Sequence, residues 1–530
     1  MNTPPPERLS LWQRTTTRRF LRWLFCWEAA RRILTTIAVV VTLIAAFYAE
    51  EDFRGRHAWK RYRQQAHARG EELDWKALIP KPVPDDQNFA AIPLVKSWFV
   101  RSTNTFRSNQ KGDYYLQAVD HVVAPAGHSV GTRRFIDLVA WSHALDVVRA
   151  GKMTGDQKFS SDKFDLASRA EAAPSVLDAL KTNEAEFAEL RIASRRPYSR
   201  YPVNYDVADP GAILLRHLGR LRGYCGRLEL KACAELALGR SEEALDDIKL
   251  SFSVADSAKG EPDLISYLVR IACLQMATQP IWEGLAEYAW SDAQLRELET
   301  HLQEYDFVAD LKPTLDAERA WGIGIIDYVK SAAKVGTLSD SGNEDPSLML
   351  LARIGPSGWF DQEQASYTRL FASEMYGTFD PAARRVFPSQ AKSSEQVFDC
   401  EFHGHNPFDV IFVRHQLLSE MLLPALPRVV GKAATGQVAA DQAMLACGLE
   451  RYRLANGRFP DALDALVPRF ISQLPHDVIN GEPYRYRLSK DGQFVLYSVG
   501  WNEKDDGGVP GKTLFDLKEG DWVWQYPPAH

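Results

Sequence analysis

Cysteine is scarce in this chain of 530 residues: there are six, at positions 26, 225, 233, 273, 400 and 447. So few, so widely spaced, exclude a disulfide scaffold. Cys225 and Cys233 fall two turns apart on a predicted helix, too far for a bridge, and read as small buried hydrophobes. A basic excess is missing too. Net charge is -6, and without a basic face no nucleic-acid partner is expected. No complete catalytic constellation stands out. Long apolar runs are also absent, with one exception. Composition is otherwise that of globular protein, 45% hydrophobic and 25% charged. The part beyond that run, about 480 residues, is long enough for two to four domains.

The exception is Ile33–Ala49, seventeen residues without a charge. At ~1.5 Å per residue it just crosses a hydrocarbon core of ~30 Å. Thirty-two residues precede it, and Phe47 stands where a cleavage site needs a small residue, which disfavours a removed signal peptide. Thr17-Arg18-Arg19-Phe20-Leu21 resembles a twin-arginine export motif, but the spacer after the arginine pair is lacking and Arg31-Arg32 interrupts the apolar run. An uncleaved anchor is the better reading.

Six cations precede the span (14, 18, 19, 22, 31, 32) and six follow it (54, 56, 60, 61, 63, 69), so flanking charge does not orient it. The arm does. Trp12, Phe20, Trp23, Leu24 and Trp27 share one helical face, with Arg14, Arg18, Arg19 and Arg22 around the rest. That pattern suits a helix lying on an anionic cytoplasmic leaflet. Residues 1–32 are thus read as a cytoplasmic arm, 33–49 as the transmembrane helix, and the bulk as extracytoplasmic.

Residues 50–97 read as a polar helix that Gly70 ends, then a strap stiffened by Pro80, Pro82, Pro84 and Pro93. The stretch 98–431 is predominantly helical from about Thr132. Ala234–Gly239 with Ser241–Leu245, and Ala286–Trp290 with Asp292–Leu295, each read as helix, capped turn, helix. Small-residue packing and the G-x-x-E-E-A-L junction of the first resemble a tetratricopeptide hairpin, but two imperfect copies fall short of the three stacked units a solenoid needs. Solenoid-like stacking and an irregular helical domain both remain open. A Gly, Ser and Asp-rich loop at 336–346 leads to another helical segment, Asp361–Tyr376.

From about Lys432 the pattern changes. Val438, Leu445, Leu449 and Tyr452 recur at helical spacing up to Asn456-Gly457, and Pro460 opens a short helix, Asp461–Leu466. Tyr484, Tyr486 and Leu488 alternate with Arg485 and Arg487 before Lys490-Asp491-Gly492 turns into Phe494–Val499. The fold class expected is α+β, mainly helical, with a helix-on-antiparallel-sheet module at 432–530.

Leu449–Gly457, Phe459-Pro460, Leu463, Leu466-Val467, Asn480–Tyr486 and Tyr497–Gly500 through Asp505–Gly508 resemble, in that order, the globular domain of type II secretion major pseudopilins. The resemblance implies a calcium site in the loop after the last strand, with Ser498, Asn502, Asp505 and Asp506 as oxygen donors. It does not imply pilin assembly. Arg414, His415, Glu420, Pro424 and Pro427 occupy the place of a pilin's apolar helix. The whole chain also resembles a family of uncharacterised bacterial membrane-anchored proteins, on Leu73-Asp-Trp75, Pro84–Phe89, Arg196–Pro202 and the end module; that likeness implies architecture but no activity.

Three further motifs carry chemistry-bearing residues. Gly127-His128-Ser129-Val130-Gly131 fits the nucleophile elbow of α/β-hydrolases, but Val122-Val123 is a short strand and no alternating strand–helix pattern supplies the sheet. Cys400, His403 and His405 offer one sulfur and two imidazoles without an evident fourth ligand. Gly507–Thr513 is one residue short of a P-loop. The reading is a non-enzymatic binding or scaffold protein of the cell envelope, its partners the lipid bilayer and other envelope proteins. An envelope hydrolase using Ser129 and a calcium-stabilised secretion accessory are the alternatives.

Overall fold

The computed structural model describes residues 27–99, 131–152, 158–160, 165–335, 353–402 and 413–527. Most of the arm, Ser129, the loop 336–346, and His403 and His405 lie outside the described residues. The described chain is predominantly helical with a small antiparallel sheet.

The apolar run and the polar stretch behind it form one unbroken helix, α1 (Trp27–Ala68), of 42 residues. Gly70, at φ 74°, takes the left-handed conformation that closes it. The apolar part lies outside the folded body, with Leu43 65% exposed, and is long and apolar enough to cross a membrane. The polar part is different. It packs along α11 (Ser357–Met375), and the two meet backbone to backbone. A Cβ on Gly55 would stand 2.0 Å from the Gly358 carbonyl oxygen, and one on Gly358 would stand 2.2 Å from that of Glu51.

After the strap and α2 (Pro93–Phe99) come α3 (Leu138–Arg149), α4 (Leu166–Leu180) and α5 (Glu184–Ala193). The two expected hairpins follow: α6 (Arg216–Ala237) with α7 (Ser241–Asp256), and α8 (Leu264–Ala286) with α9 (Asp292–Gln303). Ser291 caps α9 through a reciprocal pair with Gln294, but Ser241 is already helical and Arg240 before it makes no side-chain cap. Gln294 instead reaches Ser241 Oγ at 3.1 Å and Glu242 at 2.9 Å, joining the two helix starts. Cys225 and Cys233 share α6, both buried.

Next are α10 (Phe307–Val335), then α11, a short hairpin of β1 (Phe379–Asp380) and β2 (Arg385–Val386), α12 (Pro388–Phe402) and α13 (Leu417–Leu422). The hairpin and α12 have no counterpart in the sequence reading. The last helix, α14 (Pro427–Asn456), starts five residues before Lys432 and ends at Gly457, φ 77°. It packs against α8, α9 and α10 as well as the sheet β3 (Arg485–Leu488), β4 (Phe494–Ser498) and β5 (Trp522–Gln525). β4 is central, with Arg485 opposite Tyr497 and Leu496 opposite Trp524. The third strand and its buried Trp522 and Trp524 were not evident from the sequence, and the helix expected at Asp461–Leu466 is a single tight turn over Leu463–Leu466. One apolar core runs from α7 through α14 into the sheet. Smaller ones lie under the strap and between α3, α4 and α6.

Candidate functional site

Pro84–Phe89 and Arg196–Pro202 meet in space as a clip for the strap. Asn88 accepts hydrogen bonds from the Ala90 and Arg200 amides at 3.0 and 2.8 Å, and its own amide donates to the Arg200 carbonyl at 2.9 Å. Arg196 donates to the carbonyls of Asn88 and Asp85 at 2.8 and 3.1 Å. Arg200 Nε donates to the Pro80 carbonyl at 2.7 Å. At the other end Asp74 caps a short turn and Trp75 is buried against Trp321, ring centroids 5.3 Å apart. Gly324 on α10 makes room for it, since a Cβ there would stand 2.4 Å from the indole. These motifs hold the strap rather than present reactive groups.

Residues 71–76 ahead of the strap, α1 and α10 line an open groove of about 1170 Å³. Arg56, Lys60, Arg63 and His67 recur every three or four residues along α1 and line one wall; Asp327 and Asp361 line the other, with Trp59, Trp75 and Tyr328 between them. The acids are engaged within the protein. Asp361 pairs with Lys330, and Glu71 with Arg69 and with buried Arg319 at 2.7 Å. Burial would raise the Glu71 carboxyl, but hydrogen bonds and charge from Arg69 and Arg319 hold it below its ordinary value. Burial does raise Asp327, outweighing its hydrogen bond to Gln364 and the charges of Lys330 and Arg63. Arg56 pairs with Asp52 at 3.0 Å, whereas the side chains of Lys60 and His67 have no hydrogen-bond or ion-pair partner among the described residues. The groove therefore presents cations along α1 and carboxylates at residues 71, 72, 74, 327 and 361 beside aromatic surface, in a volume suited to a peptide segment or a comparable small ligand.

A second constellation was missed by sequence reasoning because its members are dispersed. His217 Nε2 lies 2.6 Å from Glu261 Oε2, and Ser266 Oγ lies 2.7 Å from both Glu261 and Asp263. The order is wrong for nucleophilic catalysis: the acid stands between serine and imidazole, so histidine cannot take the serine proton. His217 is fully buried and stacked on Tyr201 at 4.2 Å. Burial, then the charge of Glu261, raise the Asp263 carboxyl, as expected where a single serine proton faces two carboxylates. The cluster ties α6 to the start of α8, where Asp263 caps the Ser266 amide at 2.7 Å.

The four residues of the implied calcium loop are brought near one another but occupied. Asp505 accepts from Tyr497 OH at 3.1 Å and the Gly507 amide at 3.0 Å, and pairs with Arg485 at 3.3 Å. Asp506 accepts from the Asn502 amide at 2.8 Å, while Asn502 Oδ1 accepts the Lys504 amide at 3.0 Å. Buried Ser498 Oγ accepts from the Gly500 amide at 3.2 Å. The anchor is Asp521, which binds the amides of Asp506 and Gly508 at 3.2 and 2.6 Å. A guanidinium stands beside Asp505, and amide donors bond Asn502, Asp505 and Asp506 within the protein. Among the described residues no cluster of three or more His, Cys, Asp or Glu is arranged for a metal ion.

No protein-family model matches this chain, and no curated protein or solved structure matches it either, so the functional reading rests on the geometry alone.

Proposed function

We propose that this chain is a non-enzymatic binding or scaffold protein of the cell envelope. In this reading α1 anchors it in the cell (inner) membrane, the arm is cytoplasmic and the body extracytoplasmic, and residues 432–530 form a pseudopilin-like module. The observation that carries the proposal is the groove, because one of its walls is the anchor helix itself. Arg56 stands seven residues and His67 eighteen residues beyond Ala49, about 10 and 27 Å along the helix axis. A ligand held there sits at a set height above the bilayer, which suits the presentation of one envelope protein to another. Lys60 and Arg63 on the α1 wall, with the aromatic rings, favour an acidic segment carrying apolar side chains.

Photo-crosslinking in intact cells tests this. A crosslinker at Tyr328 should give an adduct with an envelope protein that disappears in the Lys60→Glu, Arg63→Glu double variant. A crosslinker at half-buried Lys249, on α7 and outside the groove, should not give it. Identical adducts from both positions would remove the groove from consideration. Labelling by a fluorophosphonate, abolished by Ser129→Ala, would replace the scaffold reading with the hydrolase.

A further inference from the structure

The body also reaches the level at which α1 leaves its apolar run. Tyr48, the last but one residue of that run, bonds through its hydroxyl to the Ile354 carbonyl, and Phe47 lies edge-on to Trp359 with centroids 6.3 Å apart. One turn further, Glu51 accepts from Trp359 Nε1 at 3.1 Å and Gln362 at 2.8 Å, and lies 3.6 Å from His415. Asp52 accepts from the Gly358 amide at 2.7 Å and from Ser357 at 3.1 Å, supplying the start of α11 with a cap it lacks in its own sequence. These bonds hold residues 353–359 and 413–415 beside the last turn of the span.

On these segments three large apolar side chains face outward: Phe53 on α1 is 72% exposed, Ile354 is 56% and Val413, two residues before His415, is 64%. Single exposed apolar residues are ordinary on a protein surface. Three around one helix exit, with Phe47, Tyr48 and Trp359 among them and the exposed cations Arg54 and Arg56 just above, have the composition of a bilayer interface.

We infer that this face is a second lipid-contact surface, on which Phe53, Ile354 and Val413 enter the headgroup–acyl boundary of the bilayer that α1 crosses. The inference rests on reading α1 as a membrane span. Lipid is the occupant because the surface is continuous with the span: Tyr48 belongs to the apolar run and is bonded to Ile354. Any protein partner would have to displace lipid within one helical turn of the hydrocarbon. The body then sits on the membrane at two places, so its tilt is set as well as its height.

The test uses the full chain with Cys26→Ser and Cys400→Ser, carrying one nitroxide-labelled cysteine at Val40, Ile354, Val413 or Ser331, in nanodiscs of equal parts phosphatidylcholine and phosphatidylglycerol. Power saturation compares collision with oxygen, which concentrates in lipid, and with a water-soluble nickel chelate. Val40 should be oxygen-rich and nickel-poor, Ser331 the reverse, and Ile354 and Val413 on the lipid side of Ser331. If Val40 is in lipid while Ile354 and Val413 match Ser331, the second contact fails and the span stands. If Val40 itself meets nickel, the span fails and takes this inference with it. Labels at Ile354 and Val413 shielded from both reagents assign the face to a second copy of the chain and overturn the lipid contact.

Discussion

The two longest helices of this protein divide apolarity and burial in opposite ways. The first seventeen-residue stretch of α1 after its charged start is the most apolar in the chain and lies outside the body. α14 carries Gln437, Asp441, Gln442, Glu450 and Arg451 and is buried over nearly its whole length. Its burial depends on two features. Small residues admit close neighbours: Gly436 faces Ile271 and Phe307, and Gly448 faces Ile471. Most of these polar side chains also meet a partner from another element, while Glu450 pairs with Arg453 on the same helix. Gln437 donates to the Tyr305 carbonyl at 3.1 Å and accepts from the Phe307 amide at 2.8 Å. Gln442 donates to the Trp522 carbonyl at 2.6 Å, and Arg451 to the Phe470 carbonyl at 2.6 Å. Buried polar groups cost little when bonded, whereas an apolar surface without a protein neighbour needs lipid.

The comparison breaks most easily at Asp441, which accepts from Arg384 at 2.9 Å and Tyr484 at 3.0 Å. Asp441→Ala leaves both donors without their acceptor and should cost roughly 3–5 kcal/mol, read as thermal unfolding in detergent. Truncating matched leucines sharpens it further. Leu445→Ala in α14 should cost about 2–5 kcal/mol, but Leu43→Ala in α1 should leave body stability within about 0.5 kcal/mol. Equal losses at the two sites would mean that α1 is part of the core.

The junction of the two worlds is the Gly55–Gly358 contact. Gly358→Leu should separate α1 from α11 at a cost of about 1–3 kcal/mol and expose the polar half of α1 to protease, while the rest of the body stays folded. A smaller effect concerns pH. Burial raises the Glu363 carboxyl from an ordinary value of 4.5 to about 7, against hydrogen bonds from Ser419 and neighbouring amides. The folded state therefore holds this proton more tightly than the unfolded one. Its contribution is full below 4.5 and is lost as pH rises to about 7, so Glu363→Gln should flatten the decline in melting temperature across that range. The smallest effect is expected from a calcium chelator, which should leave the melting temperature unchanged, because Asp505 and Asp506 already have protein partners. A fall in melting temperature that Asp505→Ala abolishes would restore the ion.

Periodic features were legible from sequence. The apolar run, the hairpins around Gly239 and Ser291, the end of α14 at Gly457 and the β3–β4 pair all depend on near neighbours, through spacing, capping or turn residues. Features joined across long separations were not. β5 reads as a stray aromatic segment until β4 lies beside it, and the His217–Glu261–Asp263 cluster joins side chains from different elements. The strap motifs stood out in the sequence, yet that Pro84–Phe89 and Arg196–Pro202 clip together emerged only when Asn88 met Arg200.

By itself the sequence determined that one segment is too apolar for a free aqueous surface and that the remainder alternates helix and turn, because transfer energy and local backbone preference are properties of neighbouring residues. Only the tertiary structure decided that the polar half of α1 belongs to the body, that a groove opens beside it, and that the implied calcium donors are already bonded. Those outcomes depend on which distant groups come within bonding distance, and the glycine contact at Gly55 and Gly358 decides the first of them.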